Sequence, residues 1–200
     1  MEPVRIVSGT AAPLDRSDVD TDQIIPASWL KRVERTGFGV GLFSAWRESD
    51  PNFVLNRPEY AGASILVAGP NFGIGSSREH AVWALTDSGF QAVVSPRFGD
   101  IFRNNATKTG LVPVVVSPEF GTALLRAVER DPGLVVTIDI AERRISAAAV
   151  GLASEFPLDA FTQHRLLEGL DDIGLTLRHA DKIAAYESRR PEWMPRVLQS

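Results

Sequence analysis

The sequence contains no cysteine. That absence excludes a disulfide framework, a thiolate nucleophile, and any zinc or iron–sulfur site ligated by thiolates of this chain. Histidine is sparse: His80, His164 and His179 lie far apart, with no H-x-x-x-H pair, so no metal site is expected. Long apolar runs are also missing, and nothing approaches the ~20 residues that cross a bilayer. The first residues, Met1-Glu2-Pro3-Val4-Arg5, lack the apolar stretch and small-residue cleavage site of a signal peptide. Positive charge is in deficit: 21 Lys and Arg stand against 25 Asp and Glu, a formal net charge of −4. Binding to nucleic acid through general basicity is therefore not expected. There is no internal repeat and no low-complexity block. The chain reads as a cytosolic protein without a nucleic-acid or membrane partner.

What is present is ordinary globular material. Over 200 residues, 44% are hydrophobic and 23% charged. A chain of this length buries ~70% of its unfolded surface and needs no covalent staples. One domain spanning 1–200 is expected, with a helical extension and tail from about residue 160. Residues 4–8 suit a short strand, after which Gly9 to Pro58 is rich in turn residues, with room only for helical pieces near Ser28–Val33 and Leu42–Arg47.

The middle is regular. Ile65–Ala68 reads as a buried strand, Ser76–Ser88 as a helix stopped by Gly89, and Ala92–Val94 as a second strand. Phe98–Thr109 reads as a helix, Leu111–Val116 as a strand that Pro113 places near an edge, and Pro118–Arg130 as a helix. This rhythm predicts an α/β fold with parallel pairing. Leu134–Ile140 and Arg144–Ala149 follow as a hairpin, then helices near Thr162–Leu170 and His179–Arg189, separated at Leu170–Gly174.

The stretch that carries chemistry is Gly69-Pro70-Asn71-Phe72-Gly73-Ile74-Gly75-Ser76-Ser77-Arg78-Glu79-His80, between an expected strand and an expected helix. Glycines let the backbone aim N–H groups at a ligand, and a helix N-terminus favours an anion. Ser76 with Glu79 three residues on also fits a capping box, so a plain helix cap competes with an anion site. Arg78 opposes the macrodipole at that end, which suggests a separate task such as gripping a carboxylate. The turn is not a P-loop, since no G-K-[ST] follows, and not a dinucleotide fingerprint, since Arg78 holds the third glycine position. Asp18-Val19-Asp20-Thr21-Asp22 gathers three carboxylates, which fit a turn and lack EF-hand spacing. In Arg97–Asn105 the aromatics suit a core, while Arg97, Arg103 and Asn104 suit either surface or ligand.

Together these segments resemble the small-subunit family of 3-isopropylmalate dehydratases (isopropylmalate isomerases), within the aconitase superfamily. The resemblance rests on D-V-D-T-D-Q-I-I-P at 18–26, L-K-R-V-E-R-T-G-F at 30–38 and G-S-S-R-E-H-A at 75–81. It extends through R-F-G-D-I-F at 97–102 and L-E-G-L-D-D-I at 167–173, nearly the whole chain. It implies a swivelling β/β/α domain that closes over a larger, catalytic partner bearing a 4Fe-4S cluster, with no cofactor on this chain. It further implies a hydro-lyase, active only with that large subunit, that isomerises a 2-hydroxy diacid through dehydration and rehydration in leucine biosynthesis.

Carried over by position, Ser76 would be the catalytic base. Ser77 and Arg78 would hold a substrate carboxylate. Thr21 and Asp22 would reach the site, with Asp22 orienting a histidine of the large subunit. Substrate choice is expected in Leu30–Phe43, with Leu30 and Val33 as the apolar contacts. Relatives with the same chemistry and another diacid (citraconate hydratase, homoaconitase, dimethylmalate dehydratase) remain open, as does a non-catalytic anion-binding partner on the same fold.

Overall fold

Strand β1 (Ile6–Leu14) organises the molecule because it serves two partners in succession. Its first half, Ile6–Thr10, pairs antiparallel with β5 (Val135–Asp139); its second half, Ala11–Leu14, pairs parallel with β2 (Ile65–Ala68). On the far side of β2 follow β3 (Ala92–Ser95) and β4 (Val112–Val115), both parallel. On the far side of β5 follow β6 (Arg144–Ala147) and β7 (Leu152–Glu155), both antiparallel. The sheet of seven strands therefore runs β4-β3-β2-β1-β5-β6-β7. This is the architecture in a computed structural model, which describes residues 1–31, 36–191 and 193–194.

The parallel half is built from apolar runs buried along their whole length: I-L-V-A in β2 and A-V-V-S in β3. Such runs belong to strands covered on both faces. Helix α3 (Glu79–Asp87) links β2 to β3, and α4 (Asp100–Thr109) links β3 to β4. Helix α5 (Pro118–Arg130) packs across β1, β2 and β3. It begins as its sequence dictates, with Ser117 accepting from the Phe120 N–H at 3.1 Å and proline in the first turn. β4 lies at the sheet edge, where Pro113 is tolerated.

Several boundaries differ from expectation. β1 runs through Gly9 and Pro13, which read as turn residues in the sequence; beyond Thr10 its β5 side is unpaired, so a proline costs little there. Of the expected helical pieces, the first appears as a 3-10 turn at Ala27–Lys31, where the described residues stop, and the second as α2 (Ser44–Ser49), two residues later than expected; the short α1 (Thr21–Ile24) precedes both. β7 is an addition to the expected elements, because L-A-S-E is short and only half buried. The C-terminal extension holds α6 (Ala160–Glu168), α7 (Asp172–Leu177) and α8 (Ala180–Glu187). α7 occupies the expected separator between two helices. Asp171 caps it through the Gly174 N–H at 2.7 Å, and Asp172 ties it to Lys108 at 3.0 Å and Arg165 at 2.9 Å.

Candidate active site

The loops that leave the carboxyl ends of β1 and β2 are zipped together by their backbones. Asp18 N–H donates to the Pro70 carbonyl at 2.9 Å, Gly73 N–H to Val19 at 2.7 Å, and Thr21 N–H to Ile74 at 3.0 Å. Asn71 Nδ2 adds a bond to Asp18 Oδ1 at 2.6 Å. Both residues stand at positive φ, 62° and 56°, which the short polar side chains of Asn and Asp tolerate. Asp20 closes a capping box on α1: its carboxylate accepts from Gln23 N–H at 2.7 Å, and its own N–H donates to Gln23 Oε1 at 2.9 Å.

An aromatic floor supports this zipper. Phe72, Phe98 and Phe102 are buried, with Phe72 edge-on to Phe102 at 5.3 Å and Phe98 stacked on Phe102 at 6.1 Å. The β3–α4 turn is bound in as well, since Phe72 N–H donates to the Arg97 carbonyl and Gly99 N–H to Phe72, each at 2.9 Å. Gly73 has φ +73°, and a Cβ on it would run into the Phe102 ring, so no side chain fits.

On this platform the Ser76–Arg78 turn stands outward. Ser76 and Ser77 are exposed, and the helix starts three residues later than expected, at Glu79. Arg78 takes the N-cap position in extended geometry, φ −131° and ψ 105°, and its side chain makes no cap hydrogen bond. The expected Ser76–Glu79 capping box therefore does not form. The reason is tertiary: the Thr21 hydroxyl donates to the Ser76 carbonyl at 3.0 Å and holds that residue out of the helix. Both serine side chains are free of the local task that competed with function.

Thr21 is only 2% exposed, so the structure places it under the turn as a support and not at the open surface. Asp22 is on the surface and forms an ion pair with Arg78 Nη1. The Arg78 side chain is 15% exposed and that of Asp22 54%, so the guanidinium is held and the carboxylate is loose. Each of the three clustered carboxylates thus has a protein partner: Asn71 for Asp18, the α1 cap for Asp20, Arg78 for Asp22. Among the described residues no group of three His, Cys, Asp or Glu is gathered to hold a metal.

Leu30 is half-buried at the end of the 3-10 turn, and Val33 lies outside the described residues. His80 packs its ring against Phe38 and Trp83 at 5.2 and 4.7 Å. Arg97 is exposed beside the aromatic floor. Sequence reasoning missed the Asp18–Asn71 clasp; an Asn directly after Gly-Pro in a turn was the available signal.

Comparison with known proteins places this geometry. The family model of the aconitase C-terminal domain matches residues 1–119, which include every element of the zipper. A second model, for the C-terminal domain of the 3-isopropylmalate dehydratase small subunit, matches residues 172–200. The 3-isopropylmalate dehydratase small subunit of Acidothermus cellulolyticus is 63% identical over 200 residues, covering 100% of both chains. The chain belongs to the 3-isopropylmalate dehydratase small-subunit family. The Frankia alni member is 60% identical over 198 residues, 99% of this chain and 100% of its own. A crystal structure of 3-isopropylmalate dehydratase from Methanocaldococcus jannaschii superposes with a TM-score of 0.66 at 28% identity, covering 91% of this chain and 99% of that one. The mixed α/β fold with C-terminal helices is thus that of the aconitase C-terminal type, in a small subunit of a hydro-lyase.

Proposed function

We propose that this chain, working in the cytoplasm with a large subunit, interconverts 2-isopropylmalate and 3-isopropylmalate through isopropylmaleate in leucine biosynthesis. The observation that carries the reading is the Ser76–Ser77–Arg78 turn. Two exposed serines and a half-buried arginine stand in succession before α3, in a chain 63% identical to a small subunit of that name.

Arg78 and Ser77 bind a substrate carboxylate, the guanidinium by a bidentate grip and the hydroxyl by one donated bond. Ser76 Oγ, as an alkoxide, takes the proton from the carbon next to that carboxylate; in rehydration it returns the proton. A serine hydroxyl is too weak an acid to ionise unaided. The Arg78 charge and the unpaired N–H groups at the start of α3 stabilise its anion once water is excluded. Asp22 turns to a histidine of the large subunit as Arg78 takes up substrate.

Removal of the hydroxyl needs a second set of groups. This chain has no thiolate, so it does not fit an iron–sulfur cluster. A 4Fe-4S cluster held by the large subunit would supply Lewis acidity for loss of the hydroxyl. The chain acts as one domain over 1–200, and Leu30 and Val33 meet the isopropyl group, an apolar contact worth ~1–3 kcal/mol per methyl-sized group.

The test is anaerobic reconstitution. The chain is purified, shown to be free of iron, and assayed with 2-isopropylmalate alone, then with its large subunit, beside 2-methylmalate and homocitrate. Turnover only in the mixture, fastest on 2-isopropylmalate, is expected. Turnover by the chain alone, or a mixture that prefers another diacid, contradicts the reading.

A further inference from the structure

Helix α3 carries a charge of the unfavourable sign at each end: Arg78 at its N-cap and Asp87 as its last residue. The macrodipole favours the reverse arrangement, so each side chain needs another reason to be there. Arg78 pairs with Asp22. Asp87 has a different use, for its Oδ2 accepts the backbone N–H of Phe38 at 2.9 Å. One residue on, Ser88 Oγ donates to the Gly39 carbonyl at 3.1 Å. The approach is close enough that a Cβ on Gly39 would lie 3.0 Å from the Asp87 carbonyl carbon.

The Phe38 ring is fully buried on the same helix, edge-on to His80 at 5.2 Å and 5.7 Å from Trp83. The chain on the other side of residues 32–35 is also held. Trp29 fills the space a side chain on Gly41 would need, 2.7 Å from its Cβ position. Both flanks, Trp29 before and Phe38 after, are therefore anchored, and the second anchor is fixed to the helix that begins beside Arg78.

We infer that Asp87 is a positioning residue for substrate selection. By holding the Phe38 amide, it fixes the point at which the substrate-selecting segment joins α3, at a set place relative to the guanidinium of Arg78. The inference rests on the functional reading above, in which Arg78 takes the carboxylate and this segment meets the isopropyl group. α3 then joins Arg78 at one end to the Phe38 anchor at the other, ~13 Å away over its nine residues. Releasing Phe38 leaves the carboxylate grip intact and spoils only the fit of the substituent.

The experiment compares 2-isopropylmalate with 2-methylmalate, which keeps both carboxylates and shortens the substituent, using the complex reconstituted with its large subunit. Asp87→Ala is expected to raise KM for 2-isopropylmalate about tenfold, a contact-sized effect, with kcat nearly kept and KM for 2-methylmalate unchanged. Asp87→Asn retains an oxygen acceptor for the amide and is expected to restore wild-type constants on both diacids. Asp159→Ala removes the distant cap of α6 and serves as the stability control, with neither constant moved. If the alanine variant fails to assemble, Asp87→Glu, which displaces the acceptor by one methylene, is expected to show the same split. Equal KM changes on both diacids, no change on either, or an asparagine variant that behaves like alanine overturns the positioning role and leaves the functional reading standing. A wild-type complex inactive on 2-isopropylmalate overturns both.

Discussion

Arg78 and Asp22, 56 residues apart in sequence, form an ion pair that bridges the loops after β1 and β2. The pair is asymmetric: the guanidinium is mostly enclosed, and the carboxylate is mostly in water. An ion pair with one partner in water contributes ~0–1 kcal/mol, so under the proposed function a bidentate substrate carboxylate would displace Asp22 at little cost. In the free chain the Arg78 guanidinium is therefore occupied by the chain's own carboxylate.

Arg78→Lys tests that grip. A lysine keeps the charge and loses the planar fork, so steady-state kinetics of the reconstituted complex should show KM raised more than about tenfold. Unchanged constants would remove Arg78 from the substrate site.

Thr21→Val removes the hydroxyl that donates to the Ser76 carbonyl and preserves the side-chain shape. With the carbonyl left unpaired, the turn loses ~1–3 kcal/mol of support. A fall in kcat of about tenfold, with Thr21→Ser close to wild type, is the expected kinetic pattern. Equal kcat in the Val and Ser variants would show that the hydroxyl does not hold the turn.

Gly73→Ala places a methyl group in the Phe102 ring and a side chain at φ +73°. The combined backbone strain and overpacking should cost at least ~2 kcal/mol, or a Tm lowered by roughly 4–8 °C in a chain of this size. A thermal melt of the isolated chain decides it; an unshifted Tm would mean that the aromatic floor yields.

Acid stability should depend on two carboxylates outside the site. Asp159 is held below the usual range mainly by the Thr162 N–H it accepts, and Asp172 mainly by its hydrogen bond to Lys108. Both pKa values are lowered on folding. Their stabilisation is present above the unfolded value of about 4 and is lost as pH falls through the folded values. Both carboxylates are exposed, so solvent screening keeps each share small. Asp159→Asn should flatten the fall of Tm below about pH 4. A variant that tracks wild type through that range would refute the linkage.

The parallel half of the fold was legible because β2 and β3 are continuous apolar runs and α5 carries both its cap and its proline. The extent of β1 was not, since a strand that changes partner at Ala11 leaves no mark on local composition. Position marked Ser76–Arg78 as a site, between a strand and a helix. Its conformation was hidden: Ser76 looks like a cap until Thr21, 55 residues away, takes hold of its carbonyl. The same distance in sequence concealed the Asp22–Arg78 pair and the use of Asp87. Local propensity describes the helix, whereas long-range contacts decide where it starts.

Under the proposed function, Ser76 supplies the base to a site completed by another subunit. Its carbonyl, not its hydroxyl, is what the fold uses, so Ser76→Ala separates chemistry from stability. The measurement is single-turnover dehydration of 2-isopropylmalate by the reconstituted complex, with the complex in saturating excess over substrate. The expected result for the alanine variant is a rate at least ~100-fold below wild type, with Tm and subunit assembly unchanged. A variant that keeps more than about a tenth of the wild-type rate would contradict it.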